Sequence, residues 1–364
     1  MPNTSDITTI GALARMSSNA YVEEGAANWW DLEGHWNVSD SFGWNEDGIR
    51  GHVFADPTNS TIVVAIKGTS ATFIGGGGST GKNDKTNDNL LFSCCCARVD
   101  WSWSTVCDCY SGAYTCGQDC LEHAVMTKSA YYPAATNLFN NITALYPHSQ
   151  IWLTGHSLGG SLASMLSRTY GVPSVSFEAP GDLLPSRRLH LPLPPPPSSF
   201  RGGKSSGPEI TTHVFHNADP IAMGVCNGAL SSCGVAGFAL ETRCHTGVSI
   251  IYDVVGRLGW SVDIRTHSIK PVIEQVLIED WGVTKEQRKK EEEEESVRVN
   301  RRGVRRWGWW PLPGGGKGGE DGEEGKEPKK EPDDGQHWGR GVPDAIRQDD
   351  PEQECVECSR WEYE

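Results

Sequence analysis

An α/β fold, with a mostly parallel central sheet and helices on both faces, is what this 364-residue sequence predicts. Three observations carry that expectation. Short apolar, β-branched runs recur through the first 281 residues, at Thr61–Ile66, Ser149–Thr154, Ser174–Phe177 and Thr211–Phe215, and such runs mark buried strands. Segments of helical spacing lie between them, an alternation that covers a parallel sheet on both sides. One strand also runs straight into Gly155-His156-Ser157-Leu158-Gly159, and a helix of small residues runs straight out.

In chain order, residues 8–22 carry apolar side chains at helical spacing (Ile10, Leu13, Ala14, Tyr21). The Trp- and Gly-rich stretch that follows reads as turns and a hairpin. Thr61–Ile66 is the first buried strand and ends in Lys67-Gly68-Thr69. The segment GGGGSTGKNDKTND reads as a flexible loop; its Gly81-Lys82-Asn83 lacks the Ser or Thr that a phosphate-binding loop requires. From Gly117 to Tyr146 the pattern is helical, and Pro133 is expected to break or kink it. Ser157–Tyr170 is a helix, residues 191–208 a proline-rich surface loop, 246–263 mixed, and Ile269–Ile278 a closing helix.

Charge divides the chain. Residues 1–281 hold 16 Lys and Arg with 25 Asp and Glu, whereas residues 282–364 hold 16 and 22. The reading is one globular unit over 1–281 and a charged, mostly disordered tail over 282–364 that ends in Cys-x-x-Cys. A net charge of −15 excludes a nucleic-acid partner, since phosphate binding needs a basic face. Within the tail, RRGVRRWGWW joins arginine to tryptophan, a composition suited to anionic headgroups, or to a solvated linker of biased content.

Seven of the 12 cysteines fall between Cys94 and Cys120, as CCC, C-x-C and C-x3-C. Tetrahedral zinc needs spaced ligand pairs, which this pattern lacks, so disulfides in an inserted segment are expected and no metal. Four sequons, at Asn3, Asn37, Asn59 and Asn141, fit glycosylation in a secretory lumen. The N-terminal stretch contains no apolar run of signal-peptide length, and no stretch of the chain is long and apolar enough for a membrane span.

The chemistry is concentrated at Ser157. A sharp strand-to-helix turn leaves no room for a β-carbon at Gly155 or Gly159, and it lifts the serine hydroxyl above the sheet at a helix N-terminus. That context points to an α/β-hydrolase fold with Ser157 as nucleophile, where the competing reading is a helix-capping serine. A serine needs a base and an orienting acid, in the chain order serine, acid, histidine. Asp219, after the strand Thr211–Phe215, and His267, before the closing helix, suit those places. His245 and His216 remain rivals for the base, Asp182 and Asp263 for the acid. The backbone N–H of Leu158 and the Thr69 N–H and hydroxyl are the expected oxyanion donors.

GHSLGG, the Lys-Gly-Thr strand end and Ala-Asp-Pro together resemble the fungal class 3 triacylglycerol lipases. The strings NDNLLFSCCCARVDWSWSTVCDCY, FEAPGD, HNADPIAMGVCNGALSSC, CHTG and LGWSVDIRTH, with the closing ECVECSRWEY, resemble one family among them, the fungal autophagic lipases. The resemblance implies a lipase that dissolves autophagic-body membranes in the vacuole, acts on membrane phospholipid and triacylglycerol, and reaches that compartment through multivesicular endosomes. It carries catalytic roles onto Ser157, Asp219 and His267. It also implies an N-terminal anchor, for which these residues offer no apolar segment, while the loop at 191–208 looks altered and residues 282–350 match no counterpart in the resemblance. The expected reaction is ester hydrolysis through an acyl-enzyme, without metal or cofactor, on a lipid or membrane surface. The alternatives are a soluble esterase on the same fold and an inactive membrane-binding homologue.

Overall fold

A computed structural model describes residues 1–33, 35–45, 48–69, 81–99, 102–128, 131–193, 209–282, 338–347 and 355–364. Helix α1 (Ile7–Asn19) leads into the hairpin β1 (Asn37–Phe42) and β2 (Gly51–Ala55), then β3 (Thr61–Ile66) and α2 (Gly81–Leu91). Two short strands, β4 (Tyr110–Gly112) and β5 (Thr115–Cys116), precede α3 (Gln118–Lys128) and α4 (Tyr131–Leu145). Next come β6 (Gln150–His156), α5 (Leu158–Tyr170), β7 (Ser174–Phe177), α6 (Leu183–Arg188) and β8 (Thr211–His216). The domain closes with α7 (Ser232–Val235), β9 (Val248–Tyr252), α8 (Val254–Leu258) and α9 (Ile269–Pro271), the last continued by a π turn over Val272–Val276.

The main sheet runs β1-β2-β3-β6-β7-β8-β9-β10, where β10 is Ile346–Arg347. Its five central strands from β3 to β9 are parallel, while β1, β2 and β10 are antiparallel additions at the two edges. Strand β3 shows why this sheet must be covered twice. Ile62, Val64 and Ile66 join the core under α2, α3, α4 and α5. Val63 and Ala65 join the opposite core, under α1 and the closing helix. A strand apolar on both faces suits only the interior of a parallel sheet. This is the α/β-hydrolase architecture that the sequence predicts.

Three local expectations are revised. The segment read as flexible loop is helical from Gly81 onward. Its glycines and asparagines favour turns, but Leu90 and Leu91 are fully buried, Asp84 accepts from the Tyr131 hydroxyl at 2.6 Å, and Asn87 caps the Tyr131 N–H at 3.1 Å, so packing overrides propensity. Residues 71–80 and 194–208 lie outside the described residues. The helical stretch is divided just ahead of Pro133 rather than kinked at it: α3 ends at Lys128 and α4 starts at Tyr131, which places Pro133 in the first turn, where its missing N–H costs nothing.

Residue 281 is also not where the fold ends. Trp338 stands over Arg15, whose guanidinium carbon is 4.8 Å from the ring centroid, and β10 pairs with β9. Cys355 and Cys358 close disulfides onto Cys244 and Cys94, and β11 (Glu362–Tyr363) pairs in parallel with β5. Two pieces of the charged tail are therefore structural parts of the hydrolase unit; the Arg- and Trp-rich run lies outside the described residues. All 12 cysteines pair, the other four bridges being Cys95–Cys116, Cys96–Cys107, Cys109–Cys120 and Cys226–Cys233. Each member of the CCC run takes a different partner. Among the described residues no helix is long and apolar enough to cross a membrane.

Candidate active site

The turn between β6 and α5 is built by exclusion. A β-carbon on Gly159 would run into the Ile66 carbonyl, and one on Gly155 into the Gly159 backbone. Ser157 between them takes φ 58° and ψ −131°, a left-handed conformation that a side chain adopts only under constraint. Its N–H donates to the Phe177 carbonyl at 3.0 Å, and its own carbonyl starts α5.

From that turn the serine meets two residues brought from far along the chain. Ser157 Oγ lies 2.9 Å from His267 Nε2, and His267 Nδ1 lies 2.8 Å from Asp219 Oδ2. The consistent tautomer has Nδ1–H donating to the carboxylate and Nε2 accepting the serine proton. Asp219 follows β8, and its other oxygen accepts the Ile221 N–H at 2.8 Å. His267 ends a short 3₁₀ turn, Ile264–His267, capped by Asp263. Asp219 is fully buried, while Ser157 and His267 are each 8% exposed. Burial alone would raise the Asp219 carboxyl, but His267 beside it, together with Glu178, holds it below the ordinary aspartate range.

The rivals are engaged elsewhere. His245 Nε2 meets the Ala179 carbonyl at 2.9 Å and His216 Nε2 the Thr266 carbonyl at 3.1 Å. Asp182 is buried against Ser164, Thr246 and His213. Asp263 pairs with Arg265 on the surface.

Around this line stand residues that sequence reading did not single out. His156 bridges Tyr21 OH (2.7 Å) and the His267 carbonyl (2.7 Å), fixing the backbone that carries the imidazole. Burial pushes its pKa down to about 3, so it stays neutral. Glu178, fully buried at φ 45°, accepts the His216 N–H at 3.1 Å through one carboxyl oxygen, and its other oxygen has no partner among the described residues. Burial, then the Asp219 charge, pushes its carboxyl well up, so it stays neutral near that carboxylate. Thr69 Oγ1 lies 2.6 Å from Asp88 Oδ2, and burial, reinforced by Asp84, pushes Asp88 up to about 8. Lys67 reaches Asp84 at 3.3 Å beneath them. Among the described residues, neither the Leu158 nor the Thr69 N–H has an acceptor. The signal for Asp84 and Asp88 was their i, i+4 spacing, hidden in a segment whose composition reads as loop.

Ser157 and His267 open into a cavity of about 520 Å³, whose apolar wall includes Trp29, Trp30, Ile221, Phe238, Leu240 and Ile269. The four sequon asparagines are all exposed.

A family model described as a Tle-like phospholipase domain matches residues 115–186, the span that contains Ser157. The Cryptococcus neoformans var. neoformans serotype D protein "Putative lipase ATG15" is 49% identical over the whole of this chain and 68% of its own length. Its namesake in Mycosarcoma maydis is 52% identical over 85% of this chain and 59% of its own. Among solved structures, the Lip2 lipase of Yarrowia lipolytica aligns at 15% identity over 67% of this chain and 77% of its own, with a TM-score of 0.34. With nearly half of all residues identical along its entire length, this chain belongs to the ATG15 lipase family, a group of carboxylic ester hydrolases.

Proposed function

We propose that the protein hydrolyses ester bonds of membrane phospholipids and triacylglycerols through an acyl-enzyme on Ser157, and that it degrades autophagic and vesicular membranes in the fungal vacuole. The observation that carries the chemistry is the hydrogen-bonded line Ser157–His267–Asp219 at the floor of an apolar cavity. His267 takes the serine proton as Oγ attacks the ester carbonyl, then returns it to the departing alcohol; Asp219 holds the tautomer and balances the imidazolium. The Leu158 and Thr69 N–H groups, with the Thr69 hydroxyl, receive the developing oxyanion. Water repeats the cycle on the acyl-enzyme. Membership of the lipase family supports the lipid class and the vacuolar setting of this reading. Six disulfides and four exposed sequons support a glycosylated protein of the secretory lumen.

The test offers purified protein phosphatidylserine vesicles, a triolein emulsion and a soluble short-chain ester, beside a Ser157→Ala control. Hydrolysis of all three, lost about a thousandfold or more in the control, is the expected result. Turnover of the soluble ester alone would make this a soluble esterase, and turnover of none an inactive homologue.

A further inference from the structure

Between Pro220 and Leu240 the chain carries no charged side chain, in a protein with 79 of them. The segment leaves the cavity wall at Ile221 and returns to it at Phe238 and Leu240. Between those points it is firmly held. Val225 and Cys226 N–H both donate to the Pro220 carbonyl at 2.8 Å, and Phe238 N–H donates to the Cys233 carbonyl at 2.9 Å. The Cys226–Cys233 bridge cross-links the loop, and α2 braces it from behind through Lys85 Nζ to the Ala236 carbonyl (2.8 Å) and Asn89 Nδ2 to the Gly237 carbonyl (3.0 Å). A loop pinned this way has a fixed outer face, and that face is aliphatic: Leu230 is 95% exposed, Val235 78% and Val225 57%. Holding three large aliphatic side chains in water on a stapled loop has no value to folding, and beside a site it marks an interaction surface.

The ground next to the loop has a different chemistry. A groove of about 260 Å³ shares Asn227 and Gly228 with it, and its lining includes Arg98, Tyr114, Arg360 and Trp361. The Trp361 ring stands edge-on to Tyr114 at 5.4 Å and to Tyr110 at 5.9 Å, and the Arg98 guanidinium lies 5.0 Å over the Tyr110 ring. Glu241 also borders the groove, with its carboxyl turned inward to the Cys94 N–H at 2.8 Å. Indole and phenol rings beside guanidinium groups fit the headgroup layer of a bilayer, and aliphatic side chains fit the layer just below it.

We propose that this face, the Cys226–Cys233 loop with the adjoining Arg98–Arg360–Trp361 groove, seats the enzyme on an anionic phospholipid bilayer. Val225, Leu230 and Val235 enter the boundary between headgroups and acyl chains, and the two guanidinium groups take headgroup phosphates. Because both ends of the loop are cavity wall, docking there sets the cavity mouth against the bilayer, and an acyl chain passes into it without crossing water. The inference rests on the reading of membrane lipid as substrate.

The experiment uses the full chain in a Ser157→Ala background, so that vesicles stay intact, with vesicles of phosphatidylcholine alone or mixed equally with phosphatidylserine. Leu230→Asp combined with Val235→Asp is expected to lower partitioning onto both vesicles about tenfold or more. Arg98→Gln combined with Arg360→Gln is expected to lower it about tenfold on the phosphatidylserine vesicles alone, a difference that high salt removes. With Ser157 restored, both pairs slow vesicle hydrolysis and leave turnover of a soluble short-chain ester unchanged. Wild-type partitioning by both pairs, or no partitioning by the parent chain, overturns the proposal. A change of oligomeric state without lipid also overturns it and assigns the face to a protein partner. If the parent enzyme turns over no soluble ester, the lipase reading fails separately, and the partitioning data still judge the face.

Discussion

If Thr69 serves the proposed oxyanion site, Asp88 should set an alkaline limit on activity that one substitution removes. It is buried one hydrogen bond from Thr69 Oγ1, at 2.6 Å. Burial pushes it up to about 8, with Asp84 raising it further and Thr69 and Lys67 acting the other way. Below that pH it is a neutral acid and can donate to the Thr69 oxygen, leaving the threonine hydrogen free to point at the oxyanion forming over Ser157. Above it, Asp88 is an anion. The threonine hydrogen then turns to the carboxylate, and a negative charge stands beside the place where negative charge must develop. Loss of one such donor lowers kcat by about 10²–10³. One pH unit above the midpoint only about a tenth of the molecules keep a neutral Asp88, so activity should fall about tenfold per unit toward that floor.

Asp88→Asn cannot ionise, and its amide can still donate to Thr69. The measurement is kcat and kcat/KM on a soluble short-chain ester from pH 5 to 10 for both proteins. At pH 9 the variant should exceed wild type about tenfold, after the two are matched at pH 6. Stability gives a second readout. A carboxyl raised in the folded state contributes stability that is complete below its unfolded value near 4 and lost as pH rises to about 8. The Tm of Asp88→Asn relative to wild type should therefore climb over that interval. An alkaline limb identical in both proteins would refute this account of Asp88.

Three further outcomes follow from the same geometry. Glu178 is buried near Asp219 with its carboxyl pushed well up by burial and by the Asp219 charge, so it adds no second negative charge there; Glu178→Gln should leave the acid limb of kcat/KM in place, and a limb that moves in that variant would mean that Glu178 is ionised. Cys244–Cys355 and Cys94–Cys358 close loops of 111 and 264 residues, worth about 5–6 kcal/mol each in the chain-entropy limit; Cys244→Ser with Cys355→Ser should lower Tm by several degrees and a chelator should not, whereas unfolding by the chelator would mean a metal. Gly282 N–H already reaches the Arg340 carbonyl at 2.7 Å, so replacing residues 283–337 with a short Gly-Ser linker should preserve both Tm and soluble-ester turnover; reduced binding to anionic vesicles would give the Arg- and Trp-rich run a membrane role.

What the sequence disclosed and what it hid divide along a physical line. The central strands could be read because a parallel strand covered on both faces must be apolar throughout, and that signal is local. The turn at Ser157 could be read for the same reason: the clash at Gly155 and Gly159 is with backbone already implied by the strand and helix on either side. His267 and Asp219 were reachable through chain order, yet only the structure brings them together with Ser157 and gives His245, His216, Asp182 and Asp263 other partners. Two things were hidden. Helix α2 is a poor helix by composition, held by Tyr131 and the core beneath it, so no window of sequence contains its cause. The tail was misjudged by averaging charge over 282–364, because two cysteines, one tryptophan and a two-residue strand tie parts of it to the core and leave its mean composition unchanged. Such few, long-range contacts decide structure without biasing composition. The residues tuning the site belong to that same class: Tyr21 meets His156 across 135 positions, and Ser157 meets His267 across 110. A sequence window can therefore name the candidate nucleophile, while the groups packed around it come into view only where distant segments meet.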